Sequence, residues 1–171
     1  MTFIGFIVST FKSYPALVVV PNSTITNWVR EFERWAPKLR VVPFYGDAKA
    51  REVVKKFELF HSRPALGTTG AKYHVLVTTY ETVTNQREFG PVFKSTPRWE
   101  MLVVDEGQRC KFCCWLSDAW PLIVVTVKSD ESLIFKRLKE LNTFHRIIMT
   151  GVNTAHLRAY VCTTDDPGRH R

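Results

Sequence analysis

The sequence predicts an α/β domain built on a doubly wound parallel sheet with helices on both faces. Short apolar runs rich in β-branched residues recur along the chain, and segments with helically spaced apolar residues lie between them. Most of these runs are continuous rather than alternating in polarity, which is typical of strands covered on both faces. The chain has 171 residues, which is enough for one domain with a substantial core.

The predicted strands are the continuous apolar runs. In chain order they cover residues 16–20, 40–44, 74–78, 101–104 and 146–149. Valine, isoleucine or leucine occurs in every run, as expected of strands. Strand–helix alternation of this kind favours parallel pairing with right-handed crossovers.

Three segments between the strands are predicted as helices. The first covers residues 23–35, with Asn22 or Ser23 placed to cap it, and its apolar stripe is Ile25, Trp28, Val29, Phe32 and Trp35. The second covers residues 47–60 after the acidic cap Asp47, and its stripe is Val53, Val54, Phe57 and Phe60. The third covers residues 132–141, and its stripe is Leu133, Ile134, Leu138 and Leu141. The spacing predicts that each helix packs one face on the sheet.

Two stretches lack this regular pattern. Residues 112–128, FCCWLSDAWPLIVVTVK, interrupt the link between the fourth strand and the third helix, and residues 152–171 show no periodicity. Residues 63–70 contain a proline, two glycines and two threonines, so they are predicted as a surface loop.

The composition favours a basic intracellular protein. The formal net charge is +8 and the pI is about 9.5, so polyanionic partners, above all nucleic acid, are favoured, although many basic proteins bind none. The four cysteines, Cys110, Cys113, Cys114 and Cys162, indicate free thiols in a reducing compartment. A zinc site with His145 or His156 is the alternative, but no second well-spaced pair completes it. No signal peptide or membrane span is predicted.

The residues that follow the predicted strands are small, polar or acidic. Because the carboxyl ends of parallel strands meet at one edge, these residues are expected to converge on a ligand-binding rim. The acid pair Asp105–Glu106 directly follows an apolar run. Such a pair can hold Mg²⁺ and activate water in nucleotide hydrolysis; the alternative is a solvated turn at a strand end.

Four segments together resemble a known family. PALVVVPNSTITNWVREFERWAP, VTTYE, LVVDEGQR and HRIIMTG follow one another in the order of the amino-terminal ATPase lobe of Swi/Snf-type chromatin remodellers, within helicase superfamily 2. The sequences of these segments are most similar to the chromodomain-helicase (CHD-like) branch, particularly its fungal members. The resemblance covers residues 3–111 and 130–151. It implies a RecA-like (P-loop NTPase) parallel sheet with helices on both faces, incomplete at the amino terminus.

The resemblance implies roles for matching positions. Asp105 would hold Mg²⁺ through water, and Glu106 would activate the attacking water in ATP hydrolysis. The residues that would couple the nucleotide site to DNA movement are Gln108, Arg109, Thr150 and Gly151. The residues that would lie near the DNA backbone are Pro21, Asn22, Ser23, Thr26, Thr78, Thr79 and Tyr80. For the hydroxyl residues, DNA contact and structural roles both stay open, whereas core packing is favoured for Trp28.

The sequence also departs from the family. It contains no G-x-x-x-x-G-K-[ST] phosphate loop, and GTTGAK at residues 67–72 has the wrong spacing. In relatives this loop immediately precedes the helix that residues 2–8 continue. We therefore expect that the loop, the strand before it and the second lobe are missing, and that strand edges are exposed as a result.

The predicted organisation is an incomplete ATPase lobe at residues 1–151, with an atypical insertion at 112–128 and a non-homologous tail at 152–171. We interpret the insertion and tail as translated intron or misread sequence. The leading hypothesis is a fragment of a nuclear remodeller that moves double-stranded DNA on nucleosomes, inactive alone. Alternatives are a non-catalytic module that binds DNA or remodeller-complex subunits, and an unrelated superfamily 2 helicase or nuclease lobe.

Overall fold

The computed structural model describes residues 2–61, 70–106, 133–151 and 157–163. The strands are β1 (Ala16–Val20), β2 (Val41–Phe44), β3 (Val75–Thr79), β4 (Trp99–Val104), β5 (Thr143–Gly151) and β6 (Leu157–Thr163). The helices are α1 (Thr2–Thr10), α2 (Ile25–Trp35), α3 (Ala48–Val54), α4 (Tyr80–Thr84), α5 (Gln86–Glu88) and α6 (Leu133–Lys139). A π-helical turn extends α3 at Lys55–Leu59, and another extends α5 at Phe89–Lys94. All five predicted strands are present, and the fifth is longer than predicted.

The six strands form one sheet in the order β2-β3-β1-β4-β5-β6. The first five pair in parallel, with β1 lying between β3 and β4. The connections between consecutive strands from β1 to β5 contain helices, as parallel pairing requires crossovers. The predicted parallel α/β sheet is confirmed.

The sheet is covered on both faces, which explains the continuous apolar runs. Every residue of β1 and β3 is buried. On one face, Val18 and Val20 pack with α1 and α2 through residues that include Ile4 and Trp28. On the opposite face, the core contains residues of β1, β3 and β4 together with α4, α6 and both π-helical turns. Neither face of a central strand meets water, so no polar alternation is needed.

The tail contributes a strand that the sequence did not predict. β6 pairs antiparallel with β5 over seven residue pairs, from His145↔Thr163 to Gly151↔Leu157. Residues 152–171 show no periodicity, so nothing in their sequence indicated this strand. A strand at the sheet edge needs backbone pairing more than a repeating apolar pattern, so periodicity is a weak guide there. The edges of the described sheet are consequently β2 and β6.

The buried face of the second predicted helix was assigned only partly correctly, since Val54 and Phe60 are partly buried against the core as predicted. Asp47 caps α3 as predicted, accepting a hydrogen bond from Ala50 N at 2.7 Å. However, Val53 is 58% exposed and Phe57 is 55% exposed, whereas Leu59 is fully buried. The helix widens into a π-helical turn after α3, and the longer turn shifts the residues facing the sheet relative to a 3.6-residue repeat.

The other two helices follow their predicted stripes with local differences. In α2, Ile25, Trp28 and Phe32 are buried. Trp35 is half exposed and donates its indole N–H to Glu31 instead of joining the core. The residue at the amino-terminal cap of α2 is Thr24, not Asn22 or Ser23, and its side chain makes no capping hydrogen bond.

In α6, Leu138 and the following Leu141 are buried as predicted, but Leu133 is exposed. The predicted insertion at 112–128 and most of the predicted loop at 63–70 lie outside the described residues. Among the helices in the described ranges, none has both the length and the apolar character required to cross a membrane.

Candidate functional site

The carboxyl ends of β1, β3 and β4 lie side by side, as the sequence predicted. Val20 is in register with Thr79 at the end of β3, and Val19 is in register with Val104 at the end of β4. The backbone N–H of Asp105 continues the pairing by donating to Val19 O at 2.9 Å. The segments that start after these strands therefore meet at one rim of the sheet.

Asp105 is held at this rim by hydrogen bonds from three parts of the chain. Its Oδ2 accepts from the indole Nε1 of Trp28 at 2.9 Å. Its Oδ1 accepts from the backbone N–H of Glu106 at 2.9 Å. The hydroxyl of Tyr80 donates to its backbone oxygen. The Asp105 side chain is half-buried, so these contacts fix the carboxylate while one side stays open to solvent.

Glu106 adopts an unusual backbone conformation beside this anchored carboxylate. Its φ is +51°, in the left-handed region that residues other than glycine rarely occupy. Such a residue costs roughly 1–2 kcal/mol relative to ordinary backbone and persists where its surroundings impose it. Here the Glu106 N–H is held by Asp105, and the two acids are presented together at the end of β4.

The donor set suits Mg²⁺ better than a metal that is held by protein ligands alone. Asp105 and Glu106 supply carboxylate oxygens, and each carboxylate oxygen of Asp105 accepts one hydrogen bond from the protein and has a further lone pair. Among the described residues, no group of three or more histidine, cysteine, aspartate or glutamate side chains could hold a metal. Mg²⁺ characteristically binds through one or two carboxylates, water and substrate phosphates.

The segment after β1 presents several of the predicted DNA-contacting residues to solvent. Asn22, Ser23 and Thr26 are exposed around the start of α2, whereas Pro21 is buried. The Thr24 hydroxyl donates to Pro21 O at 3.1 Å, so it does not cap the first turn of the helix. The amino-terminal end of α2 therefore faces outward without a side-chain cap.

The segment after β3 has a different arrangement, because Thr78, Thr79 and Tyr80 are all buried. The Thr78 hydroxyl donates to Phe44 O at 2.8 Å, which joins β3 to β2. The Thr79 hydroxyl lies 3.0 Å from that of Thr82 and accepts from its N–H, which caps α4. These hydroxyls therefore shape the rim from within.

A cleft of about 410 Å³ opens between the segments after β1, β2 and β3. Its lining residues are Asn22, Gly46, Arg51, Thr79, Glu81, Thr82 and Asn85. Gly46 has a φ of +92°, a left-handed conformation that only glycine adopts without strain, and its oxygen accepts from Arg51. Two of the lining residues, Asn22 and Thr79, were predicted from the sequence.

An ion cluster that the sequence did not reveal supports this cleft. The buried Glu88 pairs with Arg51 at 3.2 Å and with Lys55 at 2.9 Å. Partial burial opposes the charge of Lys55, but hydrogen bonds from its ammonium to Glu52 and Glu88 outweigh it and raise the pKa of Lys55 above its usual value. The helical spacing of Arg51 and Lys55, four residues apart, was the available signal.

The predicted coupling residues are only partly described. Gln108 and Arg109 lie outside the described residues. Thr150 and Gly151 end β5, where their backbones pair with Arg158 and Leu157 of β6. Their predicted role, like the individual roles assigned to the other site residues, stays a prediction.

Known proteins share sequence with this chain over most of its length. A family model described as the SNF2-related domain matches residues 1–113. Protein CHROMATIN REMODELING 4 of Arabidopsis thaliana is 38% identical over 141 residues, which are 80% of this chain and 5% of that protein. Chromodomain-helicase-DNA-binding protein 1 of Gallus gallus is 30% identical over 152 residues, which are 88% of this chain and 7% of that protein. This chain therefore spans a small fraction of the length of these relatives.

A solved structure shares the fold. The Sulfolobus solfataricus SWI2/SNF2 ATPase core in complex with dsDNA matches with a TM-score of 0.56 and 25% identity, covering 85% of this chain and 23% of that one. The parallel five-stranded part of the sheet, with its helices, has the RecA-like fold of SWI2/SNF2 ATPase cores. The predicted family and fold class are confirmed.

Proposed function

Because the chain belongs to the SNF2-related domain family, we propose that it is part of the ATPase lobe of a nuclear, chromatin-remodelling DNA translocase. The observation that most supports this proposal is the anchored pair Asp105–Glu106 at the end of β4, beside the ends of β1 and β3. Ligands bind at this rim in sheets of this kind. The proposed partners are double-stranded DNA and nucleosomes, with further remodeller-complex subunits.

The acid pair would divide the hydrolytic chemistry between its members. ATP with Mg²⁺ would supply the phosphoryl group whose transfer to water releases the free energy for movement. Asp105, fixed by Trp28 and by the Glu106 N–H, would hold the metal through water. Glu106 would orient the attacking water and accept its proton. Gln108, Arg109, Thr150 and Gly151 would couple this site to DNA movement.

The proposed DNA surface is the exposed start of α2. Asn22, Ser23 and Thr26 are exposed there, and the helix amino terminus, with its partial positive charge, suits a backbone phosphate. The formal net charge of +8 adds a favourable long-range field. The buried Thr78 and Thr79 would support this surface from the neighbouring strand.

A charge-insertion experiment tests the DNA surface. We expect Ser23→Glu/Thr26→Glu to weaken binding of a short duplex at least tenfold, because two carboxylates would face the phosphates. The control is Ser9→Glu/Thr10→Glu, which adds the same charge at exposed positions near the end of α1, next to the amino end of β1. Fluorescence anisotropy at several salt concentrations measures both. Equal weakening by the two pairs would contradict the proposed surface, since only net charge would then matter.

A second candidate function is a non-catalytic module that binds DNA or a remodeller subunit. Its support is the lack of a G-x-x-x-x-G-K-[ST] segment anywhere in the 171 residues. Both candidates include DNA binding, so DNA binding alone does not separate them. Background ATP turnover by the chain alone is expected of both candidates, so pull-down with remodeller subunits is the experiment that tests the module directly.

A further inference from the structure

The indole N–H of Trp28 has an unusual hydrogen-bond acceptor for a core tryptophan. Trp28 is fully buried, and its one polar atom, Nε1, donates to the Asp105 carboxylate at 2.9 Å. Trp99 is equally buried, but its Nε1 donates to the backbone oxygen of Phe93 at 3.0 Å. Either arrangement satisfies a buried donor. Of these two tryptophans, only Trp28 uses that donor to orient an acid at the rim.

Tyr80 makes a parallel contact from a second direction. It directly follows β3, its ring is buried, and its hydroxyl donates to the backbone oxygen of Asp105. Trp28 therefore fixes the side chain of Asp105, and Tyr80 fixes the backbone just before the strained Glu106. Two aromatic side chains thus converge on one acid from α2 and α4.

Both aromatic residues belong to segments that carry the proposed DNA surface. The backbone N–H of Trp28 donates to Thr24 O at 3.0 Å, so Trp28 lies one helical turn after Thr24, which directly follows the exposed Asn22 and Ser23. Tyr80 is covalently next to Thr79, which lines the cleft with Asn22. A displacement of the start of α2 by DNA would move the indole, because the first helical turn is short and rigid.

We propose that Trp28 and Tyr80 are positioning residues that hold Asp105 and transmit DNA binding at the start of α2 to its carboxylate. This inference rests on the proposed function, because it assumes DNA on that surface. Trp28 is thus more than a core residue, and the predicted role of Tyr80 changes from contacting DNA to holding the acid. Neither residue touches DNA or nucleotide in this arrangement.

The hydrogen bond is tested first, without DNA, by ¹⁵N–¹H NMR of the indole N–H groups in the purified chain. Trp28→Phe identifies the Trp28 resonance by its loss. We expect Asp105→Ala to shift this resonance several-fold more than that of Trp99, and Asp105→Asn, which keeps an acceptor oxygen, to restore most of its position. An unmoved Trp28 resonance in Asp105→Ala would overturn the positioning role.

Transmission is tested by titrating the unmodified chain with a short duplex and recording the same spectra. The expected result is a progressive shift of the Trp28 resonance that saturates with DNA binding, while the Trp99 resonance stays in place. Tyr80→Phe, which removes the hydroxyl and keeps the ring, should reduce this shift at least twofold without weakening DNA binding. Binding without a Trp28 shift would refute transmission and leave the proposed function intact. Absence of binding would refute the proposed function, while the test of the hydrogen bond would still stand.

Discussion

At the scale of single residues, the cleft is supported by a buried carboxylate, Glu88, whose burial is tolerated because two positively charged side chains pair with it. Glu88 has a side chain that is 4% exposed, and Arg51 has one that is 13% exposed. A buried carboxylate without partners would be strongly unfavourable, so the pairs with Arg51 and Lys55 offset the cost of burying Glu88. The cluster also ties α3 to α5 and fixes Arg51 at the wall of the cleft.

The first prediction follows from this burial. We expect Glu88→Gln to lower the free energy of unfolding by about 3 kcal/mol, because Arg51 and Lys55 would lose their shared counter-charge. Urea denaturation measures the change. The control is Glu58→Gln, which breaks the half-exposed pair with Arg40 and should cost less than about 1 kcal/mol. Equal losses in the two variants would show that burial does not set the strength of the Glu88 cluster.

At the scale of elements, the π-helical turn after α3 decides which side chain enters the core. Leu59 is fully buried, while Phe57, on the same turn, is mostly exposed. We expect Leu59→Ala to cost about 2–5 kcal/mol of unfolding free energy, as for other buried leucines. Phe57→Ala should change it by about 0.5 kcal/mol or less. Thermal or urea unfolding of both variants provides the measurement. A larger loss of unfolding free energy for Phe57→Ala than for Leu59→Ala would support the regular α-helical register that the sequence predicted.

Strand positions were predictable because the central strands are buried on both faces, so each appears as an uninterrupted apolar run such as Ala16–Val20. The residues of the π-helical turn after α3 that face the core could not be predicted, because a 3.6-residue pattern assumes a regular α-helix. The contact between Trp28 and Asp105 was also beyond sequence patterns, because 77 positions separate the two residues. Only the assembled sheet brings α2 against the end of β4. The acid pair itself was recognisable because it follows a strand directly.

The strand β6 leads to a prediction about association. A chain that ends at Gly151 would lose β6, one of the two partners of β5, and expose the β5 backbone groups along seven paired positions. Exposed edges of this length recruit other strands, so we expect concentration-dependent association in static light scattering. A chain that ends at Thr163 keeps β6 and is the matched control. If both shortened chains stay monomeric at the same concentrations, β6 does not protect the sheet edge.

At the scale of the whole molecule, the residues that stabilise the fold are different from those proposed to carry the chemistry. The apolar residues of β1, β3 and β4 fill both layers of the core, whereas the polar residues that follow these strands gather at one rim. The rim can therefore present Asp105, Glu106 and the start of α2 without disturbing the core. This division also means that an intact fold does not guarantee every group that ATP hydrolysis needs.

The last prediction concerns ATP hydrolysis by this chain alone. We expect the 171-residue chain alone to hydrolyse ATP at the rate of the protein-free control, with or without duplex DNA. The reason is that no segment of its sequence supplies the glycine-rich lysine loop that neutralises the β- and γ-phosphates. A coupled assay for released phosphate measures the rate, and Glu106→Gln, which keeps the size of the side chain, is the control. Turnover that DNA stimulates and that Glu106→Gln abolishes would contradict the prediction and make the chain an ATPase by itself. Turnover that Glu106→Gln leaves unchanged would identify a contaminating enzyme, whereas DNA binding at background turnover is the expected result.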